Sequence, residues 1–157
     1  MANISPFIWM DDTAEQAVDF YQEVFDDVQV DSKYYNLDED GNPTTLLLVK
    51  VYIQGQELRF LNGGPYFKLN EAFSLYITCE NQQELDAIWD KLSAEGEIQE
   101  CGWVIDKFGL AWQVVPRAYE VMQEEGNAKQ QAAVMQALLK MKKIEVQGLL
   151  DAFESAR

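Results

Sequence analysis

Apolar residues recur along the start of the chain at two different spacings, and the change of spacing marks a change of element. Pro6-Phe7-Ile8-Trp9-Met10 is a short apolar run of strand length. Directly after it, Ala14, Ala17, Val18, Tyr21 and Phe25 recur at helical spacing, with Asp12 or Thr13 placed to cap the helix. The same order returns at Ser74-Leu75-Tyr76-Ile77-Thr78. Asn81 then follows as a cap, and Leu85, Ile88, Trp89 and Leu92 form one helical stripe. Sliding the first unit by 68 residues puts Thr13 on Asn81, Phe20 on Ile88 and Tyr21 on Trp89. A strand-helix unit is therefore repeated within the chain.

Strand-like segments follow each helix. Asp40-Gly41-Asn42-Pro43 supplies a turn between Val28–Leu37 and Thr44–Ile53, and Gln54-Gly55 turns the chain again into Glu57–Leu61. That strand ends at Asn62-Gly63-Gly64-Pro65. In the second half, Gln99–Asp106 and Leu110–Val115 flank a turn at Asp106-Lys107-Phe108-Gly109. The pattern predicts an α+β protein in which strand-helix-strands occurs twice. Residues 1–116 form one domain of two modules, about 1–65 and 72–116, and residues 117–157 form a C-terminal helical extension. Within the extension, helices are predicted over Ala118–Glu125, Lys129–Met141 and Ile144–Phe153, with Gly126-Asn127 separating the first from the others. These helices read either as a lid or dimer arm, or as a cap on the outer sheet surface.

Charge and composition narrow the classes of function. With 12 Lys and Arg against 27 Asp and Glu, the formal charge of −15 argues against a protein that neutralises phosphates, so neither nucleic acid nor an anionic membrane is an expected partner. Lys140, Lys142 and Lys143 form the one dense basic cluster, suited to a helix C-terminus or an acidic partner face. Cys79 and Cys101 are too few for a disulfide framework or a metal ribbon, and no N-terminal apolar stretch resembles a signal peptide, so the expectation is a cytoplasmic protein. Histidine is absent altogether, which removes the commonest transition-metal ligand and the one unperturbed proton shuttle near neutral pH.

The tandem pattern resembles the vicinal oxygen chelate superfamily of glyoxalases, extradiol dioxygenases and bleomycin- and fosfomycin-resistance proteins. Several stretches resemble its PhnB-like branch, whose domain carries the name 3-demethylubiquinone 3-methyltransferase. They are Pro6–Met10 with Ala17–Phe25, Leu61–Pro65 with Asn70-Glu71-Ala72, Cys101-Gly102-Trp103 with Asp106–Gln113, and Met135–Ile144. The resemblance implies two βαβββ modules forming an open, cup-like mixed sheet around a small-molecule pocket. It also implies that the metal positions of the metal-dependent relatives fall at or near Pro6, Arg59, Ser74 and Gln113. Those four side chains are a poor donor set, since Arg59 repels a cation and a neutral Gln oxygen alone holds a transition metal weakly. The expectation is no metal and no cofactor, with a rearranged site using Glu57, Asp106 or a cysteine as the alternative.

The candidate ligand-binding residues are Trp9, Arg59, Ser74, Tyr76, Trp103 and Gln113. Arg59 can fix a carboxylate or phosphate through its planar fork, or can simply pair with Glu57. Ser74, Tyr76 and Thr78 share one strand face, and Gln113 can orient a ligand carbonyl or satisfy a neighbouring group. Trp9 and Trp103 can line a site for a flat ligand, whereas Trp89 and Trp112 fall on core-facing stripes. Cys101 is a nucleophile only if its thiolate is stabilised, and Gly63-Gly64 runs into Pro65 with no helix start that could cradle an anion. No catalytic residue is assigned. A metal-free small-molecule binder, an enzyme of glyoxalase or transferase type, and a non-catalytic interaction scaffold all remain open, each with a homodimer as the expected assembly.

Overall fold

The switch from unbroken to helical spacing at Ala14 is where the first strand gives way to the first helix. The computed structural model describes all 157 residues and separates into two compact units, Met1–Leu69 and Asn70–Arg157. Unit 1 runs β1 (Phe7–Met10), α1 (Ala14–Val24), β2 (Val28–Leu37), β3 (Pro43–Ile53) and β4 (Gln56–Asn62). Unit 2 repeats that order as β5 (Ser74–Cys79), α2 (Gln82–Ser93), β6 (Glu97–Ile98), β7 (Trp103–Ile105) and β8 (Ala111–Pro116). It then adds α3 (Arg117–Glu125), α4 (Ala128–Leu138) and α5 (Val146–Ser155).

Each unit contains an open, mixed, four-stranded sheet, with strand order β1-β4-β3-β2 in one and β5-β8-β7-β6 in the other. In both, the first and last strands of the module pair in parallel and the remaining pairs are antiparallel. The α+β class and the twofold βαβββ repeat are present as the periodicity predicts.

Alternation on the strands decides which face each helix covers. In unit 1, Ile8, Met10, Val49, Val51, Leu58 and Phe60 are buried, and Tyr21 of α1 lies with its ring centroid 5.6 Å from that of Phe60. In unit 2, Val104, Trp112 and Val114 are buried on the sheet, and Leu85, Trp89 and Leu92 are buried along α2. Trp89 and Trp112 are core residues, as their spacing indicates.

Several local expectations are corrected. Thr13 occupies the N-cap position of α1 but its hydroxyl makes no cap bond, bonding instead toward Met10 Sδ at 3.6 Å. The Ala14 N–H donates to Asn62 Oδ1 at 2.9 Å, so the cap is supplied by the far end of β4. Asn81 does cap α2, accepting from Glu84 N at 2.9 Å. The segment read as one strand over Gln99–Asp106 is the turn and second arm of a hairpin. Cys101 and Gly102 both take positive φ, 59° and 84°, and fold Trp103 back so that its carbonyl accepts from Gln99 N at 3.0 Å. α4 stops at Leu138, three residues before the predicted end.

The link between α4 and α5 is strapped to the rest of unit 2. Cys101 N and Gly102 N donate to the carbonyls of Met141 and Lys142 at 2.9 and 2.7 Å. Gln82 on α2 donates from its amide nitrogen to Ile144 O at 3.0 Å and accepts from Val146 N at 2.7 Å. Lys143 pairs with Asp86 at 3.0 Å and Glu145 at 3.7 Å, so the cation expected at a helix end or on a partner is used within the unit. No helix is long and apolar enough to cross a membrane.

Candidate functional site

The register of unit 1 arranges the face turned away from α1 into three rows across the strands. One pairs Glu57 with Tyr52, the next aligns Phe7, Arg59, Lys50 and Ser32, and the third aligns Trp9, Leu61, Leu48 and Tyr34. Residues paired across neighbouring strands point to the same face, so each row is a set of neighbouring side chains. The rows run from acidic, through cationic, to apolar.

Glu57 is the hub of the polar part. It accepts from Asn3 Nδ2 at 2.9 Å and Tyr52 Oη at 3.2 Å, and it pairs with Lys50 at 3.4 Å and Arg59 at 3.8 Å. The Ser5 hydroxyl, foremost, holds its carboxyl down at about 2; burial pushes the other way and is outweighed once the bonds from Tyr52, Asn3 and Lys50 are added. Lys50 also reaches Asp31 at 3.5 Å, so its charge is shared between two carboxylates. Arg59 differs. Its contact to Glu57 at 3.8 Å is too long for a hydrogen bond, and its side chain is 35% exposed.

The predicted Trp9 and the glycine pair form one structure. The indole Nε1 donates to Gly64 O at 2.9 Å, and a Cβ on Gly63 would stand 2.5 Å from Trp9 Cε2 and Cζ2. The Phe67 ring meets the indole edge-on, with centroids 4.9 Å apart and planes at 81°. Gly63 is there so that the indole can lie against the backbone.

In unit 2 four of the six candidate residues come together around Gln113. Tyr76 and Trp103 are its register partners on either side, and its amide donates to Ser74 Oγ at 3.0 Å. Farther along β5, the Thr78 hydroxyl donates to Glu120 Oε1 of α3 at 2.8 Å. Burial first, then the charge and hydrogen bond of Glu120, push the Tyr76 phenol above its ordinary value, so it stays protonated at neutral pH. Trp103 also borders an open depression of about 530 Å³ shared with Ile98, Gln99, Glu100 and Cys101.

Glu57 and Asp106, both weighed for a rearranged metal site, are committed to other bonds. Asp106 is only 3% exposed, and its Oδ1 accepts from Phe108 N at 2.8 Å and Leu110 N at 3.1 Å while Oδ2 accepts from Trp112 Nε1 at 2.8 Å. It knits the turn into the core. Burial pushes the Cys79 thiol up to about 12, so it rests as an inert thiol within the core. Glu57 is held by the partners already named. No three His, Cys, Asp or Glu side chains are placed to hold a metal ion, and Pro6, Arg59, Ser74 and Gln113 include no anionic donor, so these residues do not fit the metal of the metal-dependent relatives. The alternation places Phe7, not Pro6, beside Arg59; the Pro6 carbonyl accepts the Arg59 N–H at 3.0 Å.

Lys50, Leu48 and Tyr34 join this face although no sequence motif marks them. The signal for Lys50 and Leu48 was the Gln54-Gly55 turn, and Tyr34 follows only from the pairing of β2 with β3. A two-residue turn sets Ile53 against Gln56, and counting back from there brings Lys50 opposite Arg59 and Leu48 opposite Leu61.

Comparison with known proteins agrees with this architecture. The family described as 3-demethylubiquinone-9 3-methyltransferase matches residues 2–115. A solved PhnB protein from Bacillus cereus is 29% identical. The match covers 73% of this chain and 99% of that one, with a TM-score of 0.65. A mutant fosfomycin resistance protein from Listeria monocytogenes, solved with manganese(II) and a dihydroxypropylphosphonic acid, is 12% identical. It shares the fold over 71% of this chain and 90% of its own, with a TM-score of 0.52. A glyoxylase/bleomycin resistance protein/dioxygenase domain from Frankia is 17% identical over 74% of this chain and 92% of its own, with a TM-score of 0.50. Comparison with curated proteins gives no match. With a family match spanning most of its length, this chain belongs to the family described as 3-demethylubiquinone-9 3-methyltransferase, to which the PhnB protein is similar, and it shares its fold with the glyoxylase/bleomycin resistance/dioxygenase domain.

Proposed function

We propose that this protein binds a small organic molecule without the help of a metal, with the uncovered sheet face of each unit as a separate candidate surface. The observation that carries the reading is the make-up of those faces. Arg59 stands beside a clamped Trp9 row in unit 1, and the Ser74–Gln113 pair stands between Tyr76 and Trp103 in unit 2. Apolar area supplies affinity in such a site, while a few fixed polar groups orient the ligand.

The methyl transfer in the family's description would call for a methyl donor, and the space over Gly63 is taken by the Trp9 indole, which is also bonded to the Gly64 carbonyl. Glu120 is bonded by Thr78 and Tyr76 and salt-bridged to Arg117 at 3.9 Å, which leaves it poorly placed as a general base. Binding therefore accounts for the arrangement with fewer unmet requirements than turnover. The same reading keeps the homodimer as the working assembly.

The test is native mass spectrometry, with elemental analysis, on protein purified without chelator. The expected result is a dimer carrying an organic ligand and no stoichiometric metal. A ligand-free protein with one zinc, nickel, manganese or iron per chain would overturn the proposal.

A further inference from the structure

The order of the three rows on unit 1 limits what that face can hold, given that it binds a small molecule at all. The cationic row is one pleat repeat, about 6.6–6.8 Å, from the apolar row, and neighbouring strands are about 4.8 Å apart. A molecule with an anionic group over Arg59 would thus lay its body over Leu61 and Leu48, between Trp9 at one end and Tyr34 at the other. The geometry points to an aromatic monocarboxylate, its acid one to three bonds from a flat ring system, as the ligand class of this face.

Three features support the assignment. Arg59 has its ion pair to Glu57 at 3.8 Å and no shorter polar side-chain contact, so its forked donors can still grip a carboxylate in the paired geometry that guanidinium favours. The charge is local, because a chain with 27 acids and 12 cations repels anions over most of its surface, whereas on this sheet face Lys50 and Arg59 lie side by side. The platform is rigid, because the indole is fixed by Gly64 O, by the Gly63 backbone and by Phe67, so little side-chain freedom is lost on stacking. A dianionic phosphate fits less well. Glu57 and Asp31 already offset the charge of the two cations, so what remains for an anion is the hydrogen-bonding fork of Arg59, which matches one carboxylate.

The experiment compares naphthaleneacetate with its uncharged amide, naphthaleneacetamide, by calorimetric titration of the intact wild-type protein. The acid is expected to bind roughly 10- to 100-fold more tightly, the range that charge-assisted hydrogen bonds supply. Arg59→Met should remove that preference, whereas Arg117→Met, which deletes the same charge from an exposed pair with Glu80, should leave it intact. Equal affinity for acid and amide would overturn the monoanion assignment while leaving small-molecule binding standing. Failure of both probes would also overturn it, and retained ligand in the native mass spectrum would then show whether the broader reading falls as well. Because the acid and amide are compared on wild-type protein, misfolding of Arg59→Met cannot rescue the inference.

Discussion

Gly63→Ala is the sharpest perturbation of the aromatic platform. Gly63 has ordinary negative φ, unlike Gly64 with φ 90°, so an alanine there meets no backbone penalty and its effect is one of space alone. The added methyl would lie 2.5 Å from two atoms of the indole, about 1 Å inside normal contact, and the ring has to move. Moving it breaks the 2.9 Å bond to Gly64 O, worth about 1 kcal/mol, and the edge-on contact with Phe67, worth about 0.5–1.5 kcal/mol. Overpacking strain adds about 1 kcal/mol or more where the ring cannot swing clear, and Trp9 is only partly buried, which sets the total at about 2–4 kcal/mol. Urea unfolding followed by tryptophan fluorescence should show a lower midpoint at unchanged slope. Gly64→Ala, with no close neighbour but an unfavourable φ, should cost about 1 kcal/mol. A loss below about 0.5 kcal/mol for Gly63→Ala would show that the indole is not clamped.

Asp106→Asn exchanges an acceptor for an amide in a buried site with three N–H donors, and a lost charge-assisted bond plus an unmet Trp112 donor should cost about 2–4 kcal/mol in thermal or urea unfolding. Gln82→Ala should free the strap, raising hydrogen exchange of the Val146 amide by at least tenfold (about 1.4 kcal/mol) while amides of β8 keep their protection; uniform loss would mean that Gln82 supports the whole unit. Glu57 has a folded-state value near 2 against an ordinary 4.5, so its stabilising contribution is complete above pH 4.5 and disappears as pH falls to about 2. Glu57→Gln should therefore narrow the difference in stability between neutral pH and pH 3, and an unchanged acid limb would contradict the network drawn around this carboxylate.

The class and repeat of the fold were legible because they rest on periodicity. Helical and strand spacings recur with an offset of 68, and the helix starts at Ala14 and Gln82 keep that offset. Features that depend on distant partners were hidden. The cap of α1 comes from Asn62 because the parallel pairing of β1 with β4 brings that side chain to the helix start, and Asp12 and Thr13 carry no trace of it. The β6–β7 hairpin escaped because its turn uses Cys101 at positive φ, where sequence habit expects glycine or asparagine. Of the candidate site, alternation placed Ser74 and Tyr76 on one strand face, and the family resemblance, not alternation, set Gln113 with Ser74. The union of Trp9 with Gly63-Gly64 followed from neither, since their contact is made across strands, between residues more than fifty positions apart.

The central claim is binding that owes nothing to a metal, and it is tested most directly by titrating naphthaleneacetate into the same protein before and after exhaustive chelation. Equal affinity in the two states is the predicted result. Loss of binding on chelation, restored by adding back a divalent metal, would contradict it.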